Sequence, residues 1–198
     1  MSENSLINTP EVVNTIRVHS METFGTHDGP GIRLVVFVQG CQFRCLYCQN
    51  PDTLDLKGGT EYKIEELVKK ALRQKDFFGH NGGVTVSGGE PLLQRHALVP
   101  FFKELHYHGI HTCLDSNGRV LDTDAKTLLA ETDLLLLDIL SAKNQLGSNI
   151  FSSMFKKGNS TVIFKFLDEE TSFSEDLQVI WKCPKMLFVK ALLLRIFK

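Results

Sequence analysis

Three cysteines stand close together in Cys41-Gln42-Phe43-Arg44-Cys45-Leu46-Tyr47-Cys48, a C-x3-C-x2-C pattern. Cysteine thiolates are the usual ligands of iron–sulfur clusters. Three of them in one short loop can hold three irons of a four-iron cubane and leave the fourth iron open. An open coordination position is what metal-based catalysis needs. Zinc is the alternative reading. A structural zinc site closes with a fourth Cys or His, and no second C-x2-C follows, so Cys113 or one of the seven histidines would have to complete it. A reading as three buried core cysteines fits less well, because the loop also carries Gln42, Arg44 and Gln49.

Other motifs mix glycine with acid. In Ser87-Gly88-Gly89-Glu90-Pro91 the paired glycines remove side chains where backbone must approach a ligand closely. Glu90 then serves either a bound amino group or the N-terminus of a following helix. Asp115-Ser116-Asn117-Gly118 and Asp138 each read alone as cap or turn residues. Asp28-Gly29-Pro30-Gly31 is a turn signal. His106, His108 and His111 lack ligand spacing and read as surface or packing residues, and Phe77, Phe101 and Phe102 as core.

These motifs need elements to hold them. Ile32–Val38 is a nearly continuous apolar, β-branched run, as expected of a strand buried on both faces of a parallel sheet. Ile64, Leu67, Val68, Ala71 and Leu72 recur at helical spacing. Val84–Val86 predicts a second strand, and Leu98, Phe101, Phe102 and Leu105 a second helix ending near Gly109. Ile110–Leu114 predicts a third strand. A third helix carries Ala125, Leu128 and Leu129 behind an Asp122 or Thr123 cap, and Leu134–Leu137 is a fourth strand. Strand and helix alternate, which builds a parallel α/β sheet. Each chemical motif directly follows a strand, and ligands bind at the carboxyl ends of such strands. The motifs are therefore expected at one mouth. After Ile139 the alternation fades. Thr161–Leu167 reads as a strand and Met186–Phe197 as a strand or helix, neither with a place in the architecture. The expected division is a loose extension over 1–15, a core over 16–139 and a divergent tail over 140–198.

A length of 198 residues suits one domain, and 42% hydrophobic with 23% charged residues suits a soluble one. The net charge of −1 offers no field for nucleic acid or an anionic membrane. The first fifteen residues lack a basic and an apolar signal region. Met186–Phe197 is interrupted by Lys190 and Arg195 and is too short to span a bilayer. An odd count of five cysteines, three of them clustered, argues against a disulfide framework and for a cytoplasmic metal or redox site.

The C-x3-C-x2-C motif after a first strand resembles the signature of the radical S-adenosylmethionine (SAM) superfamily. The stretch Asp28-Gly29-Pro30-Gly31-Ile32-Arg33, the lead-in Val36-Phe37-Val38-Gln39-Gly40-Cys41 and Asn50-Pro51-Asp52-Thr53 look like the pyruvate formate-lyase activating enzymes within it. So do Gly82–Glu90 and Gly109–Asp115, and the resemblance runs from about Val18 to Ile139. It implies a partial, splayed (β/α)6 TIM-like barrel. It also implies one [4Fe–4S] cluster on Cys41, Cys45 and Cys48, with SAM chelating the open iron and yielding a 5′-deoxyadenosyl radical. That radical would take a hydrogen atom from a glycine of pyruvate formate-lyase under anaerobic conditions, with flavodoxin or ferredoxin as electron donor and the activase a monomer. Around SAM the resemblance places Tyr47, Cys48 and Gln49, then Gly88, Gly89 and Glu90, and finally Asp115, Asp138, Ile139 and Leu140. Tyr47 would lie near the adenine; otherwise it is a packing aromatic. Asp115 and Asp138 would lie beside a monovalent cation, which relieves their repulsion.

The resemblance has a break. Leu140 stands where the family pattern calls for lysine, and leucine cannot replace that charge. Family members are longer, and their later motifs are missing from 140–198. A shifted reading frame over the tail would account for so abrupt an end. Residues 54–83 contain none of the extra cysteine clusters that many activases of other glycyl radical enzymes carry, which favours the formate-lyase type. The competing readings are such an activase or a truncated, inactive cluster-binding protein.

Overall fold

The computed structural model describes residues 14–45, 48–139, 161–166 and 179–181. Eight strands and three helices fall within them: β1 Thr15–Gly25, β2 Arg33–Val38, β3 Thr60–Lys63, α1 Ile64–Phe78, β4 Gly83–Gly88, α2 Arg95–Tyr107, β5 His111–Ser116, α3 Thr123–Ala130, β6 Leu134–Ile139, β7 Thr161–Phe166 and β8 Val179–Trp181. They form one open sheet in the order β3-β1-β2-β4-β5-β6-β7-β8. Strands β2, β4, β5, β6 and β7 run parallel. Antiparallel strands flank them, β1 and β3 on one side and β8 on the other.

The four expected parallel strands and three helices are present. Each helix turns an apolar stripe to the sheet. On α1, Ile64, Leu67, Val68 and Ala71 are buried at helical spacing, each of the larger ones worth about 2 kcal/mol when removed from water. The backbone N–H of Lys63 donates to Glu66 Oε2 at 3.1 Å and fixes the start of that helix. The cap of α3 is Asp122, whose Oδ1 accepts from the Ala125 N–H at 2.9 Å. The helix-facing side of the sheet carries Leu34, Val36, Val38, Val84, Val86, Leu114, Leu135 and Leu137 in one core. Alternate residues point to the opposite, inner face, where Cys113, Leu134 and Leu136 form a second cluster.

Two differences from the sequence reading stand out. β1 and β3 were not anticipated, and β1 begins at Thr15, inside the stretch expected to be a loose extension. The sheet also does not end at the fourth parallel strand. β7, at the run expected as Thr161–Leu167, pairs with β6 from Leu134↔Thr161 to Ile139↔Phe166, so β6 is not an edge. The alternation changes one strand later, where β8 is antiparallel. Met186–Phe197 lies outside the described residues. Among the described residues no helix is long and apolar enough to cross a membrane.

At the amino end of the strands the inner face is closed by Arg33 and the loop before it. Arg33 has no exposed surface. Its Nε donates to Thr85 Oγ1 at 2.6 Å, Nη1 to the Pro30 and Asn81 carbonyls at 3.0 and 3.3 Å, and Nη2 to the Val84 carbonyl at 3.0 Å. Thr85 in turn donates to the Asp28 carbonyl at 2.7 Å. The Asp28–Arg33 turn is thus the floor of the sheet's inner side. Gly31, at φ +72°, admits no side chain there, because a Cβ would meet the Gly82 nitrogen at 2.5 Å.

Candidate cluster-binding site

The cysteine loop leaves the carboxyl end of β2 through Gly40, whose φ of +100° turns the chain. The Gly40 N–H donates to the Thr53 carbonyl at 2.7 Å, so Asn50-Pro51-Asp52-Thr53 closes the base of the loop. Thr53 is buried and its hydroxyl donates to the Asn50 carbonyl at 2.7 Å. Cys41 is buried, while Cys45 and Cys48 are half-buried. The Phe43 N–H donates to Cys41 Sγ at 3.4 Å, the kind of bond that stabilises a thiolate or a metal-bound sulfur.

Burial pushes the Cys41 thiol up, and the charges of Glu90, Cys45 and Cys48 push it further, against the Phe43 N–H. Burial also raises Cys45, with Cys48 and Asp138 adding to it. The thiols therefore sense one another and the acids of the mouth. Such thiols hold their protons until a positively charged metal core displaces them. Among the described residues no group of three or more His, Cys, Asp or Glu side chains is already gathered as a metal cage. The donor set still fits a cluster, since a metal site completes itself as it binds.

Asp115 closes β5 and accepts from Ser87 Oγ, on β4, at 3.0 Å. Asp138, near the end of β6, acts electrostatically on Cys45. Cysteine loop, Ser87, Asp115 and Asp138 thus share one end of the sheet, as expected. Gln49 is exposed beside Cys48. Tyr47 and Leu140 lie outside the described residues, and of Ile139 only the backbone is described. The register sets Lys165 of β7 opposite Asp138. A lysine is present beside this aspartate in the pairing, on the next strand rather than two residues along.

In the glycine–acid motif the structure gives Glu90 the second of its two expected roles, at the N-terminus of a following helical turn, and adds a brace that was not anticipated. A Cβ on Gly88 would meet the Val38 nitrogen at 2.6 Å, and one on Gly89 the Gly40 carbonyl at 2.2 Å. These glycines let the end of β4 abut the root of the cysteine loop, so the close approach is protein to protein. Glu90 is wholly buried. Its N–H donates to the Gly40 carbonyl at 2.8 Å. Its Oε1 accepts from the Leu92 N–H at 2.9 Å and the Ser116 hydroxyl at 2.7 Å, and its Oε2 from the Asn117 N–H at 2.9 Å. Both carboxyl oxygens are engaged inside the protein, as the cap of a short 3₁₀ turn and as a brace on the loop after β5. Burial pushes this carboxyl up to about 7, against the three hydrogen bonds and with the help of Asp115.

His106 lies at the amino end of the strands, away from the mouth. His106 Nε2 is 3.0 Å from Asp133 Oδ2 and 3.2 Å from Thr112 Oγ1, a link between α2 and the starts of β5 and β6. Cys113 is fully buried among Leu134 and Leu136, in the layer above Arg33.

With this geometry in view, the comparisons with known proteins decide the family. The model of the 4Fe–4S single cluster domain matches residues 27–149. The chain belongs to this 4Fe–4S cluster family. It is 45% identical over 137 residues to the pyruvate formate-lyase 1-activating enzyme of Escherichia coli (strain K12), covering 68% of this chain and 56% of that protein. It is 44% identical over 154 residues to the pyruvate formate-lyase-activating enzyme of Listeria monocytogenes, covering 74% and 60%. With the corresponding enzyme of Clostridium pasteurianum the identity is 52% over 124 residues, covering 62% and 52%. The chain thus spans a little over half the length of these relatives. Among solved structures it resembles QueE from Escherichia coli, with a TM-score of 0.51 at 13% identity over 78% of this chain and 85% of that one. That likeness supports the open α/β barrel fold. A [4Fe–4S] cluster and SAM are the cofactors that the family match and the activating relatives imply.

Proposed function

We propose that this chain is a radical SAM activase that generates a glycyl radical on pyruvate formate-lyase under anaerobic conditions. One arrangement carries the reading: Cys41, Cys45 and Cys48 in a loop at the carboxyl end of a parallel sheet, with Asp115 and Asp138 at the same mouth. When bound, the reduced cluster with SAM supplies a radical able to take hydrogen from a glycine.

The protein's own residues hold and shield that chemistry. The three thiolates occupy three irons and leave one position open. Asp115 and Asp138 accept from SAM or coordinate a monovalent cation, and Gly88 and Gly89 let the end of β4 pack against the root of the cysteine loop and hold it beside SAM. The family resemblance adds Tyr47, Gln49, Ile139 and Leu140 as candidate contacts to SAM. The buried Arg33 side chain fills the other end of the inner face. The core over 16–139 carries this site, between an extension over 1–15 and a tail over 140–198. The protein acts as a cytoplasmic monomer, reduced by a flavodoxin or ferredoxin. Reading the gene in its other frames tests whether the tail is frame-shifted: a lysine-containing family continuation supports it, and none refutes it.

The deciding experiment is anaerobic reconstitution and reduction, followed by electron paramagnetic resonance with and without SAM. Incubation with Escherichia coli pyruvate formate-lyase follows. A [4Fe–4S] signal that changes on adding SAM, then a glycyl radical on the lyase with release of 5′-deoxyadenosine, is the expected result. A second reading is a cluster-binding protein that does not turn over. Its mark is a cluster signal indifferent to SAM and no 5′-deoxyadenosine. Release of 5′-deoxyadenosine without a radical on the lyase would point to another glycyl radical enzyme as target.

A further inference from the structure

The loop that carries Cys41, Cys45 and Cys48 is joined to the rest of the mouth at two places. Its base is tied by backbone, from the Gly40 N–H to the Thr53 carbonyl at 2.7 Å and from the Glu90 N–H to the Gly40 carbonyl at 2.8 Å. Its outer part is met by a side chain from a distant segment. The guanidinium of Arg119, in the loop after β5, lies over the ring of Phe43, 5.3 Å from its centroid. Phe43 sits midway between Cys41 and Cys45.

Arg119 does not hang free from its own loop. Its N–H donates to Asn117 Oδ1 at 3.1 Å, and the Gly118 N–H donates to Ser116 Oγ at 3.0 Å. Gly118 takes φ +67°, which lets the chain double back after β5. Ser116 and Asn117 both donate to the buried carboxyl of Glu90. A continuous path therefore runs from Glu90 through Ser116 and Asn117 to Arg119, and from there to Phe43 in the cysteine loop. Glu90 stands at both ends, since its own N–H holds the base of that loop.

We propose that Arg119 is a positioning residue: through its contact with Phe43 it clamps the cysteine loop against the loop after β5 and slows loss of the cluster. This rests on the proposed function only in requiring that the three cysteines hold a cluster. A guanidinium over an aromatic face is attractive without being rigid, so it suits a loop that must close around iron and sulfide. The guanidinium also places a fixed positive charge beside a site whose thiolates make it net negative.

The test is the rate at which ferrous iron passes from the reconstituted full-length protein to a ferrous chelator under anaerobic conditions. Arg119→Gln and Phe43→Leu should each raise that rate about threefold, the worth of an exposed contact of this kind. The double variant should also be about threefold faster, because either change alone removes the same interaction. Arg119→Lys should stay within about twofold of the parent. Thermal midpoints should not move, which separates the clamp from general destabilisation. Singles at the parent's rate, or a double variant at the product of the two, about ninefold, would overturn the clamp alone. A parent protein that takes up no [4Fe–4S] cluster would overturn the proposed function together with it.

Discussion

Replacing Glu90 by glutamine is expected to cost stability at pH 5 and to recover most of that cost by pH 8. Glu90 is wholly buried, and its carboxyl is pushed from an ordinary 4.5 up to about 7. The folded state thus binds a proton that the unfolded state has already released. The stabilisation from that proton is fully present below about pH 4.5 and is lost as the pH rises through about 7. The distance between the two values corresponds to about 3 kcal/mol, with most of the loss between pH 5 and 7. A glutamine amide keeps one acceptor oxygen, but its NH2 group only donates, so it turns a donor toward one of the three donors that meet this carboxyl, at a fixed cost of about 1–3 kcal/mol. It also avoids the buried charge, whose cost to the parent grows with pH. The assay is urea denaturation of the cluster-free, reduced chain at pH 5, 6, 7 and 8, followed by far-ultraviolet circular dichroism. The variant's stability relative to the parent should rise by about 2–3 kcal/mol across that range. A difference independent of pH would refute the reasoning. It would mean that the three donors to this carboxyl outweigh its burial.

Serine at Cys41, Cys45 or Cys48 should each remove the [4Fe–4S] resonance and most bound iron, whereas Cys113→Ser should keep full iron and lose about 1–3 kcal/mol for a hydroxyl among Leu134 and Leu136. Iron and sulfide analysis with urea denaturation separates the two. Arg33→Ala should cost about 3–5 kcal/mol, since it leaves the carbonyls of Pro30, Asn81 and Val84 without their donor, and the urea midpoint reports it. Gly89→Ala should cost more than Gly79→Ala in the same assay. The first drives a Cβ against the Gly40 carbonyl at 2.2 Å, while the second has open space and bears only the backbone strain of a side chain at φ 57° and ψ −144°, about 1–3 kcal/mol.

What the sequence made legible follows how each element is buried. β2, β4, β5 and β6 are covered on both faces, so they appear as apolar runs, and α1 to α3 show one-sided periodicity. β1 escaped notice because only Ile16, Val18 and Gly25 along its eleven residues are buried, and β3, Thr-Glu-Tyr-Lys, is a polar edge strand. The cysteine triad was plain from spacing alone, and placing the acids after strands correctly gathered Asp115 and Asp138 at one mouth. The brace that Glu90 places on the loop after β5 and the role of Arg33 were hidden for a common reason. Most of their partners are backbone N–H and carbonyl groups, which every residue carries and no pattern displays. The Phe43–Arg119 contact joins two segments far apart in the chain, and neither residue is unusual in its own loop.

The floor built from Arg33 and the turn before it bears on traffic. A barrel open at both ends would let a small molecule depart on one side while a macromolecule still occupied the other. Here the guanidinium is anchored to backbone on several sides, and the far exit is sealed. A small molecule on the inner face therefore cannot leave past Arg33, and the routes left to it are the carboxyl-end mouth and the open side of the sheet. A protein loop seated at the mouth would leave only the second, so turnover would be paced by how far that loop also covers the open side.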